Sequence, residues 1–223
     1  MRITWLGHSG FRIEAGGKVL LLDPWLEGCP TFPDERRAEA LEGATHVLLT
    51  HAHFDHASEA EAVLKETGAK AVGIFDLVGA FGDEAIGFNK GGTVDLDGVR
   101  VTMVNAVHSS SWDRDTPAGS ECGFMIEADG RTLYAMGDTD VMADMALFQE
   151  LHAPSFGIVP IGGHFTMDPD RAAFACTKFF DFQAVIPCHY GTFDALTQSA
   201  EGFEKAVAPT KVVAPAVMEA VDL

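Results

Sequence analysis

The amino-acid sequence predicts a single domain of the α/β class, and three observations support this prediction. Short apolar runs rich in strand-forming residues alternate with stretches of helical spacing. No Ser/Pro-rich linker and no repeat of fixed period interrupts this alternation. The length of 223 residues, 47% of them hydrophobic, suits one domain of a class that can reach about 200–250 residues. We therefore expect residues 1–223 to form one domain.

The first elements are predicted to be strands. Arg2–Leu6 and Phe11–Ala15 flank the turn GHSG, and Val19–Leu22 follows them as a third strand. Thr45–Thr50 predicts a buried strand, because it is a short apolar run that leads directly into the polar sequence HAHFDH.

A helix and two further strands are predicted next. Apolar residues of segment 57–64 recur at helical spacing, and Gly68 is expected to end that helix. Ala71–Phe75 predicts a strand that leads into a glycine-rich region. Val99–Ala106 predicts another strand, which stops just before His108.

The second half predicts a hairpin, further strands and a capped helix. Asp168 followed by Pro169 is typical of a helix start, with Asp as N-cap and Pro in the first turn. The strands predicted here are Phe124–Ala128 and Arg131–Met136, joined as a hairpin across Asp129-Gly130, then Gly157–Ile161, Ala184–Pro187 and residues 211–217.

Polar residues with metal-binding or catalytic side chains recur at the ends of these predicted strands. Loops gather at strand ends in layered α/β folds, and binding sites form there. The pattern therefore predicts one functional rim. The residues that follow a predicted strand are His51, His108, Asp138, His164 and His189.

The stretch THAHFDH (residues 50–56) places three imidazoles and a carboxylate within six residues. His51 and His53 are two apart, so their side chains point the same way in an extended chain. Asp55 and His56 converge only if the chain turns there, which the predicted helix would provide. The motif thus offers two ligand pairs that can diverge toward two metals, and imidazole plus carboxylate suits zinc, iron or manganese.

Each ligand pair needs a third donor. His108 and His189 can supply one to each pair, and Asp138 can bridge with its two carboxylate oxygens. Two metals about 3.5–4 Å apart would then hold a hydroxide between them. Seven donors with room for water also exceed the four that closed structural zinc sites use.

The chain resembles the metallo-β-lactamase superfamily, in which T-H-x-H-x-D-H is a signature. Segments along nearly the whole chain match one branch of metal-dependent hydrolases, which is similar to the ascorbate-phosphate lactonases: WLGHSGF, DPWL, THAHFDH, AVHSSS, MGDTDVMADM, PIGGHFTMDP and PCHYGTF. The resemblance implies an αββα sandwich of two mixed β-sheets flanked by helices, with the metals at their shared rim. It implies that His51, His53 and His108 bind one metal, that Asp55, His56 and His189 bind the other, and that Asp138 bridges them.

These features predict an enzyme, a hydrolase that uses a dinuclear-metal-activated hydroxide on a small ester, lactone or phosphoester. The cofactors are expected to be two divalent metal ions, zinc in the first place, with manganese or iron as alternatives. His8, in a glycine-rich turn, and His164, after two glycines, are candidates for contacting substrate or orienting a ligand. The predicted catalytic residues are Asp55, Asp138, His164 and His8.

Two other function classes stay open. Related folds include iron dioxygenases and diiron reductases, but the reductases generally carry H-x-E-x-D-H, where this chain has His53. A mononuclear iron dioxygenase is the redox alternative, against which the full second set of ligands argues. A metal-binding protein without catalytic activity is the third class.

Charge restricts the partners. Fifteen basic residues against 33 acidic ones give a net charge of −18, and no basic run is present. A nucleic-acid partner is therefore not expected, and a nuclease is disfavoured. A small-molecule substrate is expected, and Arg114 is the basic residue nearest in sequence to a predicted ligand.

The location follows from the remaining sequence features. No apolar run approaches the roughly 18 residues of a membrane span, and residues 1–10 show a strand pattern rather than a signal peptide. We expect a cytoplasmic protein without a membrane partner, and assembly into a homo-oligomer stays open. The four scattered cysteines predict reduced, buried thiols: Cys29, Cys122, Cys176 and Cys188.

Overall fold

A computed structural model describes residues 1–113 and 115–223 of the chain. The strands in these ranges are β1 (Arg2–Gly7), β2 (Gly10–Ala15), β3 (Lys18–Leu22), β4 (His46–Leu49), β5 (Lys70–Ile74), β6 (Ile86–Phe88), β7 (Thr93–Asp95), β8 (Arg100–Asn105), β9 (Cys122–Ala128), β10 (Arg131–Ala135), β11 (Phe156–Pro160), β12 (Ala184–Cys188), β13 (Lys211–Val212) and β14 (Ala220–Asp222). The α-helices are α1 (Arg37–Leu41), α2 (Phe54–Ala57), α3 (Ala60–Thr67), α4 (Phe75–Val78), α5 (Met145–His152), α6 (Pro169–Phe179) and α7 (Glu201–Ala206). Short 3-10 helices cover Asp34–Arg36 and Gly79–Phe81.

The strands form two mixed sheets of seven strands each. The first sheet has the order β14-β1-β2-β3-β4-β5-β6, and the second has the order β13-β12-β11-β10-β9-β8-β7. In both sheets one half is antiparallel and the other half is parallel, with the change at β3 in the first sheet and at β10 in the second. Helices flank the sheets, so the αββα sandwich and the α/β class that the sequence predicted are confirmed.

The central parallel strands are covered on both faces, and their sequences are therefore apolar apart from His46 at the start of β4. All four residues of β4 are buried, as are all five of β11 and of β12. Strands covered on both sides read as continuous apolar runs rather than as alternating patterns. The ends of β4 and β12 therefore lie at a buried part of the rim of the sandwich, and the polar residues His51 and His189 that follow them are also buried.

Helix α6 shows how the sequence sets the position of a flanking helix. The side chain of Asp168 accepts a hydrogen bond from the backbone N–H of Arg171 at 2.8 Å, and Pro169 occupies the first helical position. This confirms the predicted capped start. Small buried residues such as Ala172 and Cys176 pack the helix against the outer face of the second sheet, where Tyr134 and Val185 lie.

The predicted helix over residues 57–64 is two helices in the structure. The chain forms the single turn α2, breaks at Ser58 and Glu59, and continues as α3, which ends at Gly68 in the left-handed conformation, as expected. The break lets the buried carboxylate of Glu59 accept hydrogen bonds from the backbone N–H groups of Leu26 and Glu27, at 2.7 and 2.5 Å. Spacing alone could not show this contact, because it joins distant parts of the chain.

Three other predicted boundaries were wrong. Phe75 begins α4 instead of ending a strand. The glycine-rich region contains the two short strands β6 and β7, which no apolar alternation marks. The last predicted strand, residues 211–217, is shortened to β13, and Pro215, which has no N–H for a ladder, lies in the part that is not a strand. The chain then crosses to the first sheet, where the Met218 N–H donates to Trp5 O at 2.7 Å and β14 pairs with β1.

Three other expectations concern the chain as a whole. All four cysteines are free and buried, as predicted. Within the described ranges no helix is long and apolar enough to cross a membrane. Arg114, the basic residue singled out in the sequence, lies outside the described residues.

Candidate metal centre

A cluster of histidines and carboxylates lies at the rim where strand ends of both sheets meet. His51 follows β4, and α2 carries the next ligands of the same motif. The second sheet contributes one residue after each of β8, β10 and β12. The structure brings together all the predicted site residues except His164: His8, His51, His53, Asp55, His56, His108, Asp138 and His189.

The first group of donors consists of His51, His53 and His108. The Nδ1 atom of His53 lies 3.0 Å from Nε2 of His51 and 3.3 Å from Nε2 of His108. Each of the three residues offers one nitrogen within 4.8 Å of the others. Two come from the loop after β4 and one from the second sheet, so the group joins the two sheets.

The second group consists of Asp55, His56 and His189, with His8 beside them. The Nε2 atoms of His56 and His189 each lie 3.8 Å from Oδ2 of Asp55. This group also takes two donors from α2 of the first half and one from the end of β12 in the second sheet. The turn that the sequence required between Asp55 and its neighbour is provided by α2.

Asp138 lies between the two groups. Its Oδ2 atom is 3.1 Å from Nε2 of His189 and 3.4 Å from Nε2 of His56. The same oxygen is 3.6 Å from Nε2 of His108 and 4.0 Å from Nε2 of His51. One carboxylate oxygen therefore approaches two imidazoles from each group.

The centre contains buried polar atoms that protein groups do not satisfy. Among the described residues, no hydrogen-bond partner is present for Nε2 of His56, for Oδ1 of Asp138 or for either ring nitrogen of His189. Buried polar groups are hydrogen-bonded in the great majority of cases, and an unpaired one costs about 1–3 kcal/mol. Imidazole nitrogens and carboxylate oxygens that converge without partners are the donor set of a transition-metal site. The residues therefore fit divalent metal ions.

The electrostatics of the centre point the same way. Burial would raise the pKa of Asp138, but the neighbouring His189 and His56 outweigh it and hold that pKa well below its ordinary value. Burial opposes charge on His56, yet Asp138, Asp23 and Asp55 raise its pKa well above 6.5. For His51, burial and the nearby His56 lower the pKa well below 6.5. The carboxylates are thus ionised and attract a positive charge, which a divalent cation can supply.

Asp23 is a residue of the site that the sequence reasoning missed. Its carboxylate accepts hydrogen bonds from the N–H and the hydroxyl of Thr50, at 2.8 and 2.6 Å, and from Nδ1 of His56 at 2.8 Å. These bonds fix the ring of His56 so that Nε2 faces the centre. The signal was present in the sequence DPWL, where an aspartate follows β3 directly, as the other site residues follow their strands.

His8 contacts the second group directly. Its Nε2 atom lies 2.9 Å from Oδ2 of Asp55, and its Nδ1 atom lies 2.9 Å from Oγ1 of Thr192. Because a carboxylate only accepts, Nε2 carries the proton and Nδ1 accepts from the hydroxyl. Burial is the main cause that lowers the pKa of His8 to about 4, so the ring is neutral at neutral pH.

Two glycines make room for the cluster. A Cβ atom on Gly162 would lie 2.4 Å from the carbonyl oxygen and 2.6 Å from Nδ1 of His189. Gly137, which precedes Asp138, has φ +66°, and a Cβ there would lie 2.6 Å from the carbonyl oxygen of Cys122. The glycines of PIGGH and MGD thus allow the backbone to approach closely beside two cluster residues.

The structure places His164 outside the cluster. Its side chain is exposed and lines a separate cleft of about 360 Å³, together with Asp140 and Arg171. Phe165 lines this cleft and also the cavity above the metal centre. His46, which contacts Thr45, and His152, which lies beside Glu127, also lie apart from the centre.

Comparison with known proteins finds a matching family model, similar sequences and a similar solved structure. A family model described as "Beta-lactamase superfamily domain" matches residues 2–189. A UPF0173 metal-dependent hydrolase from Dinoroseobacter shibae is 56% identical over 230 residues, covering 100% of both chains. Another from Cereibacter sphaeroides is 55% identical with the same coverage. The solved structure of Igni18, a novel metallo hydrolase from the archaeon Ignicoccus hospitalis, has a TM-score of 0.88 at 33% identity, covering 99% of this chain and 97% of that one.

Proposed function

Since this chain belongs to the metallo-β-lactamase superfamily and is a metal-dependent hydrolase, we propose that it uses two metal ions on a small ester, lactone or phosphoester. Membership in the superfamily and the prediction of a hydrolytic enzyme are both confirmed by these relatives. The number of ions, their identity and the substrate class are the proposal.

One observation carries the proposal of two ions. Oδ2 of Asp138 lies 3.1 and 3.4 Å from imidazoles of one donor group, and 3.6 and 4.0 Å from imidazoles of the other. A carboxylate in that position is suited to bridge two cations, because one of its oxygens is near both groups and it carries a full negative charge. His51, His53 and His108 would hold one ion, and Asp55, His56 and His189 would hold the other.

Bound divalent ions supply an activated water and polarise the carbonyl or phosphoryl group under attack. The chain itself orients the donors. Asp23 keeps Nδ1 of His56 occupied, and His8 does the same for one oxygen of Asp55. Such partners fix ring and carboxylate orientation. Oδ1 of Asp138 lacks a hydrogen-bond partner in the described part of the chain, so a bound water could donate a hydrogen bond to it.

Zinc is the ion that we propose first, with manganese or iron as alternatives, because five imidazoles and two carboxylates suit all three. Two complete groups of donors favour a dinuclear hydrolase over a mononuclear iron dioxygenase, which needs only one group. The acidic chain favours a small-molecule substrate over a nucleic acid.

The experiment combines elemental analysis of the purified protein with an activity screen over esters, lactones and phosphodiesters. We expect about two transition-metal ions per chain and turnover that a chelator abolishes and added zinc or manganese restores. Turnover that persists after complete removal of metal would contradict the proposal. One ion per chain with full activity would contradict the dinuclear part alone.

A further inference from the structure

The cavity above the metal centre has a wall that the proposed chemistry does not use. The cavity measures about 740 Å³, and its floor includes His53, Asp138 and His189. Its sides are formed in large part by aromatic rings: Phe54, Trp112, Phe165 and Phe193. A scissile ester bond occupies only a small part of that space, so the remainder is available to the rest of the substrate.

The aromatic wall is braced from behind. The buried Trp25 stacks on Phe193 with ring centroids 5.8 Å apart, and it meets the edge of Phe54 at 5.5 Å. On the other side Phe81 contacts Trp112 at 6.0 Å. Aromatic pairs at these distances hold one another in place. Three of the four rings, Phe54, Phe193 and Trp112, are therefore held in place before any ligand arrives.

Two of these rings leave apolar surface in water. Phe54 is 58% exposed and Phe165 is 55% exposed. Large apolar side chains held at the mouth of a cavity gain free energy when a ligand covers them. Phe54 also sits between His53 and Asp55 in the chain, so a group covering it lies next to the donors.

The acidic residues of the cavity disfavour a negatively charged substituent. Three acidic residues, Asp55, Asp113 and Asp138, are among those that line it. Backbone N–H groups of Asp115 and Thr116 bond to the Asp113 carboxylate and lower its pKa, so it is ionised at neutral pH. A substrate with a second negative charge away from the scissile bond would meet this carboxylate.

We propose that this cavity binds an uncharged apolar acyl or alkyl substituent of the substrate. This inference rests on the proposed function, and it narrows the substrate class to esters or lactones with an apolar chain or ring. Phe165 and Trp112 determine the preference for length, and the metal donors beneath them act on the bond at its end.

The first test measures hydrolysis by the metal-loaded protein of p-nitrophenyl acetate, butyrate and hexanoate. A fourth substrate, the p-nitrophenyl monoester of adipic acid, has the same six-carbon chain as the hexanoate but ends in a carboxylate. Each added methylene should lower KM about two- to fourfold, as expected for burial of one CH₂ group, with kcat nearly constant. The ester that ends in a carboxylate should not show this fall in KM. In Phe165→Ala and Trp112→Ala the dependence on length should flatten.

The matched control is Phe174→Ala. Phe174 is 54% exposed, close to the value for Phe165, but it lies on α6 and does not line the cavity. This variant should keep the dependence on chain length. An equal flattening in Phe174→Ala, or an unchanged dependence in both cavity variants, would overturn the inference.

The second test separates this inference from the proposed function. Methyl ketones of rising chain length, which are not hydrolysed, are titrated into the same metal-loaded protein by calorimetry. Tighter binding of longer ketones that is weakened in Phe165→Ala supports the apolar site even if no ester is turned over. If esters are turned over but neither ester KM nor ketone affinity depends on chain length, the apolar site is overturned and the proposed function stays intact.

Discussion

Nε2 of His8 lies 2.9 Å from Oδ2 of Asp55, although the two residues are 47 positions apart in the chain. The contact is buried, and Thr192 holds the other nitrogen of His8. His8 adopts φ +49°, a conformation uncommon for a residue with a side chain, in the turn between β1 and β2. The turn thus holds an imidazole in the position where it orients one of the proposed metal ligands.

The first prediction follows from this contact. His8→Ala should leave metal content nearly intact and lower kcat by about 10- to 100-fold, the usual cost of losing a partner that orients a ligand. Thr192→Val, which removes only the hydroxyl that contacts Nδ1 of His8, should lower kcat less. Elemental analysis and kcat together check this. If His8→Ala loses a whole equivalent of metal, His8 is itself a ligand.

The second prediction concerns the two donor groups. His53→Ala should lose one metal ion preferentially, because His53 belongs to one group only. Asp138→Ala should weaken both ions, because Asp138 lies near both groups. His152→Ala is the control, since His152 lies at the end of α5 beside Glu127. Metal titration by mass spectrometry under native conditions measures each stoichiometry, and an unchanged metal content in Asp138→Ala would contradict the bridging role.

The third prediction concerns Asp23. Asp23→Ala leaves the N–H and hydroxyl of Thr50 and Nδ1 of His56 without their buried acceptor. Each such group costs about 1–3 kcal/mol, so a clear fall in the free energy of unfolding is expected. Asp23→Asn keeps the shape and should lose less. Urea denaturation of the protein with and without metal measures both, and wild-type stability in Asp23→Ala would refute the positioning role.

The fourth prediction concerns Gly162. The added Cβ of Gly162→Ala would overlap with the backbone and ring of His189, so this ligand must shift. We expect weaker metal binding and a loss of activity of about 10-fold or more. Gly202→Ala is the matched control, because a Cβ there meets its first neighbour, Pro169 Cβ, at an ordinary 3.7 Å. Equal metal affinity in both variants would show that the close approach has no effect.

The fifth prediction concerns substrate size. With a net charge of −18, the protein should repel long polyanions, and we expect little cleavage of RNA or DNA. Turnover of small activated esters and phosphodiesters is compared with turnover of single-stranded RNA at equal low salt. Efficient metal-dependent RNA cleavage with little small-substrate activity would overturn the proposed substrate class.

The sequence predicted much of the site because the chemistry is concentrated at strand ends. His51, His108, Asp138 and His189 each follow an apolar strand, and a sheet brings such ends to one edge. Asp23 obeys the same rule but acts through His56, and no spacing in the sequence connects residues 23 and 56. Only the tertiary structure shows that link.

His164 shows the limit of the same reasoning. It follows two glycines at the end of a strand, which suggested a place at the site. In the structure Gly162 makes room for His189, and the chain then turns away and places His164 in the neighbouring cleft. A glycine pattern marks a close approach of backbone, but it does not say which neighbour is approached.

The proposed metal donors come from both sheets, so metal binding should stabilise the packing of one sheet on the other. Each of the two proposed ligand groups takes two side chains from the β4–α2 segment and one from the second sheet, so neither proposed group is complete until both sheets are in place. An ion that binds only when both sheets are docked adds its binding free energy to folding, about 2.7 kcal/mol at a free concentration of 100 times Kd. If the ions bind in this way, the metal-loaded protein should resist unfolding and proteolysis longer than the metal-free chain.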